Sequence, residues 1–348
     1  MEYGITSIDL ERSPNAMLAA ADRLLEQEGI RRDKCLDYLC ALTDEEGRPA
    51  AVGGLFGNTM RCFAVSGEHR GEGLLNLVVT HLIDVQASRG NLHLFLYTKP
   101  ETAQFFQDLG FHEIARVEGK LVFMENRRNG FPGYLKDLEK TARSGRAAAI
   151  VMNANPFTLG HQYLAEQASA ACDVLHIFVV SEDLSLVPFP VRRRLVEEGT
   201  AHLPNVVIHD CGPYLISAAT FPGYFLKDEV SVAEGQAKLD TALFSRIASV
   251  LGITERWVGE EPFSEVTALY NRILAEELPK AGIRCRIVPR KQAEGAAISA
   301  SEVRRRIQSG DLESLSSLLP ASTLRYFMSP EAAGVIEKIR AAEEVTHH

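Results

Sequence analysis

No two cysteines in this 348-residue chain stand at the C-x-x-C spacing of a zinc or redox site. The six present, Cys35, Cys40, Cys62, Cys172, Cys211 and Cys285, are scattered, which argues against disulfides and zinc and for a reducing cytoplasm. No cluster of Asp, His and Glu has metal-ligand spacing, so no metal site is expected. No apolar run approaches the roughly 20 residues that cross a bilayer. The opening MEYGITSIDLERSPN lacks the basic-then-apolar order of a signal peptide. Cations are outnumbered, 37 Lys and Arg against 46 Asp and Glu, for a net charge of -9. Neutralising nucleic-acid phosphates needs surplus cations, so the chain is a poor candidate for nonspecific nucleic-acid binding, while local basic clusters remain able to bind a small anion or an acidic protein. Internal repeats and low-complexity tracts are absent too.

What is present is ordinary globular material, 46% apolar and 24% charged, long enough for two domains with real cores. Residues 1–126 read as an α+β unit. Apolar positions at helical spacing predict a helix over 15–28; strands follow at 35–42, 50–56 and 60–65, with Gly57-Asn58 as a hairpin turn. A helix at 74–87, a strand at 92–97, a helix at 101–109 and a strand pair at 111–117 and 120–125 complete it. Residues 127–146 hold turn and breaker residues, predicting a linker with a short helix around 135–142. From 147 strands and helices alternate, which predicts a parallel sheet with helices on both faces over 147–330. One helix of that domain is expected over 236–251. A C-terminal helix and tail occupy 331–348.

Two stretches of the second domain carry chemistry. The first is a buried strand, 147–152, running through Asn153-Ala154-Asn155-Pro156-Phe157-Thr158-Leu159 into a helix at Gly160-His161. Parallel sheets bind ligands where strands end and helices begin, and free N–H groups there favour phosphate. Gly160 lets backbone approach a nucleotide closely, and His161 in the first turn is placed to donate to a phosphate. Thr158 also fits a plain helix cap. The second is Ile298-Ser299-Ala300-Ser301-Glu302-Val303-Arg304, about 140 residues on. Ser299 and Glu302 fit a capping box, so a helix starts here, with the Ser301 hydroxyl and Arg304 beside its N-terminus. Glu302 sets a negative charge near this anion site, so it must turn back to its cap or face solvent. Between them, Trp257-Val258-Gly259-Glu260-Glu261-Pro262 follows a strand, either as a plain βα turn or, by resemblance to a nucleotidyltransferase turn, as one that approaches adenine or ribose.

These stretches resemble the two signatures of the HxGH nucleotidyltransferase superfamily, with Thr158 where the pattern begins with His. Residues 153–164, 178–185, 214–227, 258–262 and 298–304 together resemble citrate lyase ligase. That resemblance implies a Rossmann-like nucleotidyltransferase domain and ATP brought with Mg2+ on its triphosphate. It assigns catalytic roles to His161 and Arg304. Nucleotide contacts go to Asn153, Asn155, Phe157, Thr158, Gly160, His161, Gly259, Glu260, Ser299, Ser301 and Arg304, with Arg290 and Lys291 secondary. The implied reaction joins acetate to AMP and passes the acetyl to the thiol prosthetic group, a phosphoribosyl-dephospho-CoA, of the citrate lyase acyl carrier subunit. Substrate-side candidates are Ser181, Arg192, Tyr214, Ser217, Thr220 and Lys227. The block holding Tyr214 to Lys227 reads equally as an ordered loop with a packed Phe-Pro turn. Arg192-Arg193-Arg194 reads as a docking patch for the carrier or its phosphates, or as a solvated helix face.

Residues 1–126 resemble a GNAT-type acetyltransferase, with Arg70-Gly71-Glu72-Gly73-Leu74-Leu75 as a pyrophosphate loop and 103–111 as a second signature. Leu75 stands where that family has a small residue, which argues against acetyl-CoA catalysis. The domain then either holds the CoA-like prosthetic group or serves for docking and stability. Two other functions stay open: nucleotidylyl transfer to a phosphorylated acceptor such as a pantetheine phosphate, and non-catalytic nucleotide sensing.

Overall fold

The computed structural model describes residues 3–12, 14–181, 184–215, 221–226, 228–260, 265–293 and 295–342. The chain divides into two compact units, Met1–Phe131 with Pro222–Gly235, and Pro132–Phe221 with Gln236–His348. Pro222–Gly235 thus lies within the expected second domain by sequence and groups with the first unit.

In the first unit one sheet runs in the order β1-β2-β3-β4-β5-β7-β6. Its strands are β1 (Gly4–Ser7), β2 (Tyr38–Thr43), β3 (Pro49–Phe56), β4 (Thr59–Val65), β5 (Phe95–Thr98), β6 (His112–Val117) and β7 (Leu121–Glu125). Every neighbouring pair is antiparallel except β4 and β5. Side chains alternate faces along a strand. Leu39 and Ala41 of β2 accordingly join one core with Leu24 and Leu25 of α1 (Ala16–Gln27). Cys40 and Leu42 join another with Val78 and Leu82 of α2 (Leu74–Ser88) and Phe106 of α3 (Ala103–Asp108). Asn15 starts α1 by accepting the Met17 and Leu18 amides at 3.1 Å. The hairpin at Gly57-Asn58 forms as expected, with Phe56 paired to Thr59. Strand β1 had no signal, because all four of its residues are exposed and no burial alternates along it.

Two helices begin earlier than the sequence suggests. Helix α4 (Gly130–Glu139) takes in Gly130, Phe131, Pro132 and Gly133, which were expected in the linker. Proline is at home in a first turn, where its missing N–H has no helical partner to lose, and the Phe131 amide is capped by the Glu125 carboxylate at 2.6 Å. Helix α7 (Glu229–Leu251) starts seven residues before the expected 236, because Asp228 caps it by accepting the Ser231 amide at 2.7 Å.

The second unit holds five strands, β8 (Ala147–Met152), β9 (Val174–Val179), β10 (Val206–Asp210), β11 (Ile253–Gly259) and β12 (Arg284–Val288). Their order is β10-β9-β8-β11-β12, all parallel. This is the Rossmann-like sheet expected from the alternation. The remaining helices are α5 (Leu159–Ala170), α6 (Phe189–Thr200), α8 (Glu265–Glu277), α9 (Ala300–Ser309), α10 (Ala321–Phe327) and α11 (Ala333–Ala341). Ala147, Ala148 and Ala149 of β8 are fully buried. The strands build away from β8 in one direction and then in the other, so a crevice opens beyond the C-terminal ends of β8 and β11. A two-residue hairpin, β13 (Gln292–Ala293) with β14 (Ala296–Ala297), leads from β12 towards the second motif.

On β9 and β10 two buried histidines meet, His176 Nδ1 lying 2.8 Å from His209 Nε2. Burial pushes each down to about 4. The folded pair therefore stays neutral where unfolded histidine, near 6.5, takes up protons. Its contribution to stability is complete above pH 6.5 and is lost as pH falls towards 4. Urea unfolding across that window is expected to show a fall of about 3 kcal/mol for each histidine. Replacing both with leucine should flatten the slope; an unchanged slope would show that other groups carry it.

Candidate active site

Beyond Met152 the chain turns sharply before α5. Ala154 has φ +51, the Asn155–Pro156 peptide is cis, and the Asn155 side-chain oxygen accepts the Val187 amide at 3.0 Å. Phe157 is fully buried, and its ring stacks on the His161 ring at 5.7 Å and 19°. Space for Phe157 comes from Gly199 of α6, where an added Cβ would sit 2.3 Å from a ring carbon. Thr158 is the N-cap of α5 in extended conformation, φ -117 and ψ 169. The His161 amide donates to Thr158 Oγ1 at 3.4 Å, and the Thr158 amide donates to His161 Nδ1 at 3.1 Å. The Thr158 hydroxyl lies 2.9 Å from the same Nδ1. Gly160 does admit backbone closely, but that backbone belongs to the second motif: a Cβ there would stand 3.3 Å from the Ile298 carbonyl oxygen.

The second motif opens α9. Ser299 is its N-cap and accepts the Glu302 amide at 3.1 Å. The expected capping box is only half made, since the Glu302 carboxylate turns to Arg305 and Arg306. Those two arginines are also what reconciles Glu302 with a nearby anion site. Arg304 is buried, and its guanidinium donates to the Asn155 carbonyl and, at 3.3 Å, to Ser301 Oγ. One side chain thereby joins the two motifs across 149 positions of sequence. Burial pulls Arg304 down to about 10, so it remains a cation at neutral pH. Arg290 ties in the turn after β11, donating to the Glu260 carbonyl at 2.7 Å and to the Ile298 carbonyl at 3.4 Å. Gly259 accepts from the Asn271 side chain at 3.0 Å, and the Glu260 amide donates to Val288 at 2.8 Å. Burial, then Arg290, then Arg304 push His161 down to about 4. The result is a neutral imidazole within reach of two guanidiniums at the starts of α5 and α9, a combination that favours a polyanion.

Other expected residues lie elsewhere. Arg192 is fully buried, donating to the Val187 carbonyl at 2.9 Å, to the Asn153 carbonyl and side chain at 2.6 and 2.9 Å, and to the Val180 carbonyl at 2.8 Å. It is a brace behind the first motif rather than a substrate-side group, and Asn153, further linked to Ser185 at 3.1 Å, is part of that brace. Arg193 pairs with Glu197 and Asp210, and Arg194 with Glu331, both on the exposed side of α6, as in the solvated-face reading. Tyr214 is buried against Tyr134 at 5.0 Å, and Ser181 accepts the Gly212 amide at 3.0 Å. Ser217, Thr220 and Lys227 lie outside the described residues. Gly199 and Ser185 were not foreseen. A glycine inside a helix was the available signal for the first; Ser185 closed the 178–185 stretch that carries the family resemblance, with no role assigned to it.

Residues 147–327 match the family model described as the citrate lyase ligase C-terminal domain. Over 327 residues the chain is 38% identical to citrate (pro-3S)-lyase ligase of Escherichia coli (strain K12), covering 92% of this chain and 93% of that one. It is 37% identical over 316 residues to the protein of the same name from Haemophilus influenzae, covering 89% and 94%. Among solved structures, an acyl-CoA N-acyltransferase from Pseudomonas aeruginosa is similar at 15% identity, with a TM-score of 0.32 over 36% of this chain and 100% of that one.

Proposed function

The chain belongs to the citrate lyase ligase family, and from that premise we propose that it uses ATP and acetate to acetylate the prosthetic thiol of the citrate lyase acyl carrier subunit. The observation that carries the chemical reading is the Arg304–Asn155 bond, which seats the two motifs against each other beside Arg290 and a neutral His161.

In the first step an acetate oxygen attacks the α-phosphorus of ATP, and the bond to the departing pyrophosphate breaks. Acetate is already an anion near neutral pH, so no base is required. The obstacle is bringing one anion to another. Arg304, Arg290 and the N-terminus of α5 offset the charge of the triphosphate, and His161 donates to a phosphate oxygen as charge builds on it. In the second step the carrier thiol gives up its proton, its sulfur attacks the acetyl carbonyl carbon, and AMP leaves. Among the described residues no three His, Cys, Asp or Glu side chains converge to hold a metal. Mg2+ is proposed to arrive with the substrate, carried on triphosphate oxygens.

The carrier and its phosphoribosyl-dephospho-CoA group are the proposed partners, and the cytoplasm the proposed compartment. Among the described residues no helix is long and apolar enough to cross a membrane. The first unit is proposed to receive the CoA-like group or to dock the carrier. Mass spectrometry of deacetylated carrier incubated with ATP, Mg2+ and isotope-labelled acetate tests the reaction. The expected result is one labelled acetyl per carrier, with AMP and pyrophosphate released. Pyrophosphate release that requires a phosphorylated acceptor, and not acetate, would instead assign nucleotidylyl transfer.

A further inference from the structure

We propose that Thr158 is a positioning residue for the adenylyl-transfer step, holding His161 in the single tautomer that carries its proton on Nε2. This rests on the reading above, in which His161 meets a phosphate. The geometry is specific about the proton. His161 Nδ1 faces the Thr158 backbone amide at 3.1 Å, and an amide N–H only donates, so Nδ1 must accept. The Thr158 hydroxyl oxygen already accepts the His161 amide at 3.4 Å, which leaves its own proton for Nδ1, 2.9 Å away. A neutral imidazole has one ring proton, and with Nδ1 accepting, that proton sits on Nε2.

A reciprocal cap of this form ordinarily has Glu or Gln as the third residue of the helix. Here the third residue is an imidazole, so one motif both starts the helix and selects the tautomer. Phe157, stacked on the ring and wedged against Gly199, restrains the ring from turning over. Thr158 is 1% exposed. Its hydroxyl is engaged by the His161 amide and ring, so it acts on the ligand through His161. This also gives a physical role to threonine at the position where the superfamily pattern begins with histidine. The opposite tautomer would turn a lone pair towards a phosphate oxygen and repel it.

The test uses the full-length protein with ¹⁵N-labelled histidine. The His161 ring signals are assigned by their loss in His161→Gln, and acetate-dependent ATP–pyrophosphate exchange is measured in parallel. Wild-type His161 is expected as the Nε2–H tautomer at pH 7. Thr158→Val removes both the hydroxyl donor to Nδ1 and the oxygen that caps α5, so the residue-158 amide is no longer held against the ring; the ring signals should move towards a tautomer mixture and the exchange kcat fall about tenfold, with KM for ATP within about twofold. Thr158→Ser, which keeps the hydroxyl, should restore both. A proton on Nδ1 in the wild type overturns the proposal, and so does a Thr158→Val spectrum identical to wild type. If the valine variant fails to fold, the wild-type and serine spectra still decide the tautomer. Absence of any acetate-dependent exchange in the wild type would sink the reaction reading, a failure separate from that of the spectra.

Discussion

Replacing His161 with alanine is expected to slow acetate-dependent ATP–pyrophosphate exchange about a hundredfold or more, with the melting temperature shifted by only a few degrees. One preorganised donor aimed at developing phosphate charge is worth roughly 3 kcal/mol. His161 meets the conditions for that value. Its ring is held by the Thr158 cap and the Phe157 stack, so little is lost in orienting it during the reaction. The stabilising cost of removal is small, because the ring is only partly buried and Thr158 still receives the residue-161 amide. The loss should fall on kcat more than on KM for ATP, since the interaction strengthens only as charge builds. With His161 pushed down to about 4, the ring is neutral through the ordinary assay range, and no inflection in rate between pH 5.5 and 8 should trace to it. Near-normal exchange in His161→Ala would mean that the nucleotide lies elsewhere.

Arg304→Ala is expected to abolish both activity and part of the fold. The sequence assigned Arg304 only a catalytic role beside the start of α9. The structure changes that expectation, because the Arg304 side chain is buried and reaches the carbonyl of Asn155 across the motif junction. Truncation leaves that carbonyl without this donor and opens a cavity under α9, together worth about 2–4 kcal/mol. Activity should drop further than in His161→Ala, because the charge, the seating of Ser301 and the spacing of the two helix starts are lost together. Lysine should rescue poorly. A single ammonium on a flexible stem does not reproduce a planar fork that serves Asn155 and Ser301 at once. Thermal melting and pyrophosphate exchange on both variants check this. An alanine variant with wild-type melting temperature and turnover would show that the motifs are held together by something else.

Much of the second unit was legible from local pattern. The buried strand at 147–152, the helix starting by His161 and the Ser299 cap each depend on a few consecutive residues, and each formed as expected. What local pattern left open has one cause. Arg192, Arg193 and Arg194 are chemically alike in sequence, and successive helix residues point about 100° apart. Packing sent Arg192 inward to three carbonyls and left the other two with carboxylates. Glu302 likewise had two expected directions, its own cap or solvent, and the structure instead turns its carboxylate to Arg305 and Arg306 one turn on.

Strands, helices and their caps were determined by the sequence itself, because hydrophobic period and capping chemistry act over spans of a few residues. Which of those residues meet was decided only in three dimensions. The Ile298 carbonyl against Gly160 and Arg304 on Asn155 are contacts between segments about 140 residues apart, and no local periodicity encodes such a distance. The parallel order β8-β11-β12 sets the segments that follow β8 and β12 at the same end of the sheet, and with them the neutral histidine and its two arginines.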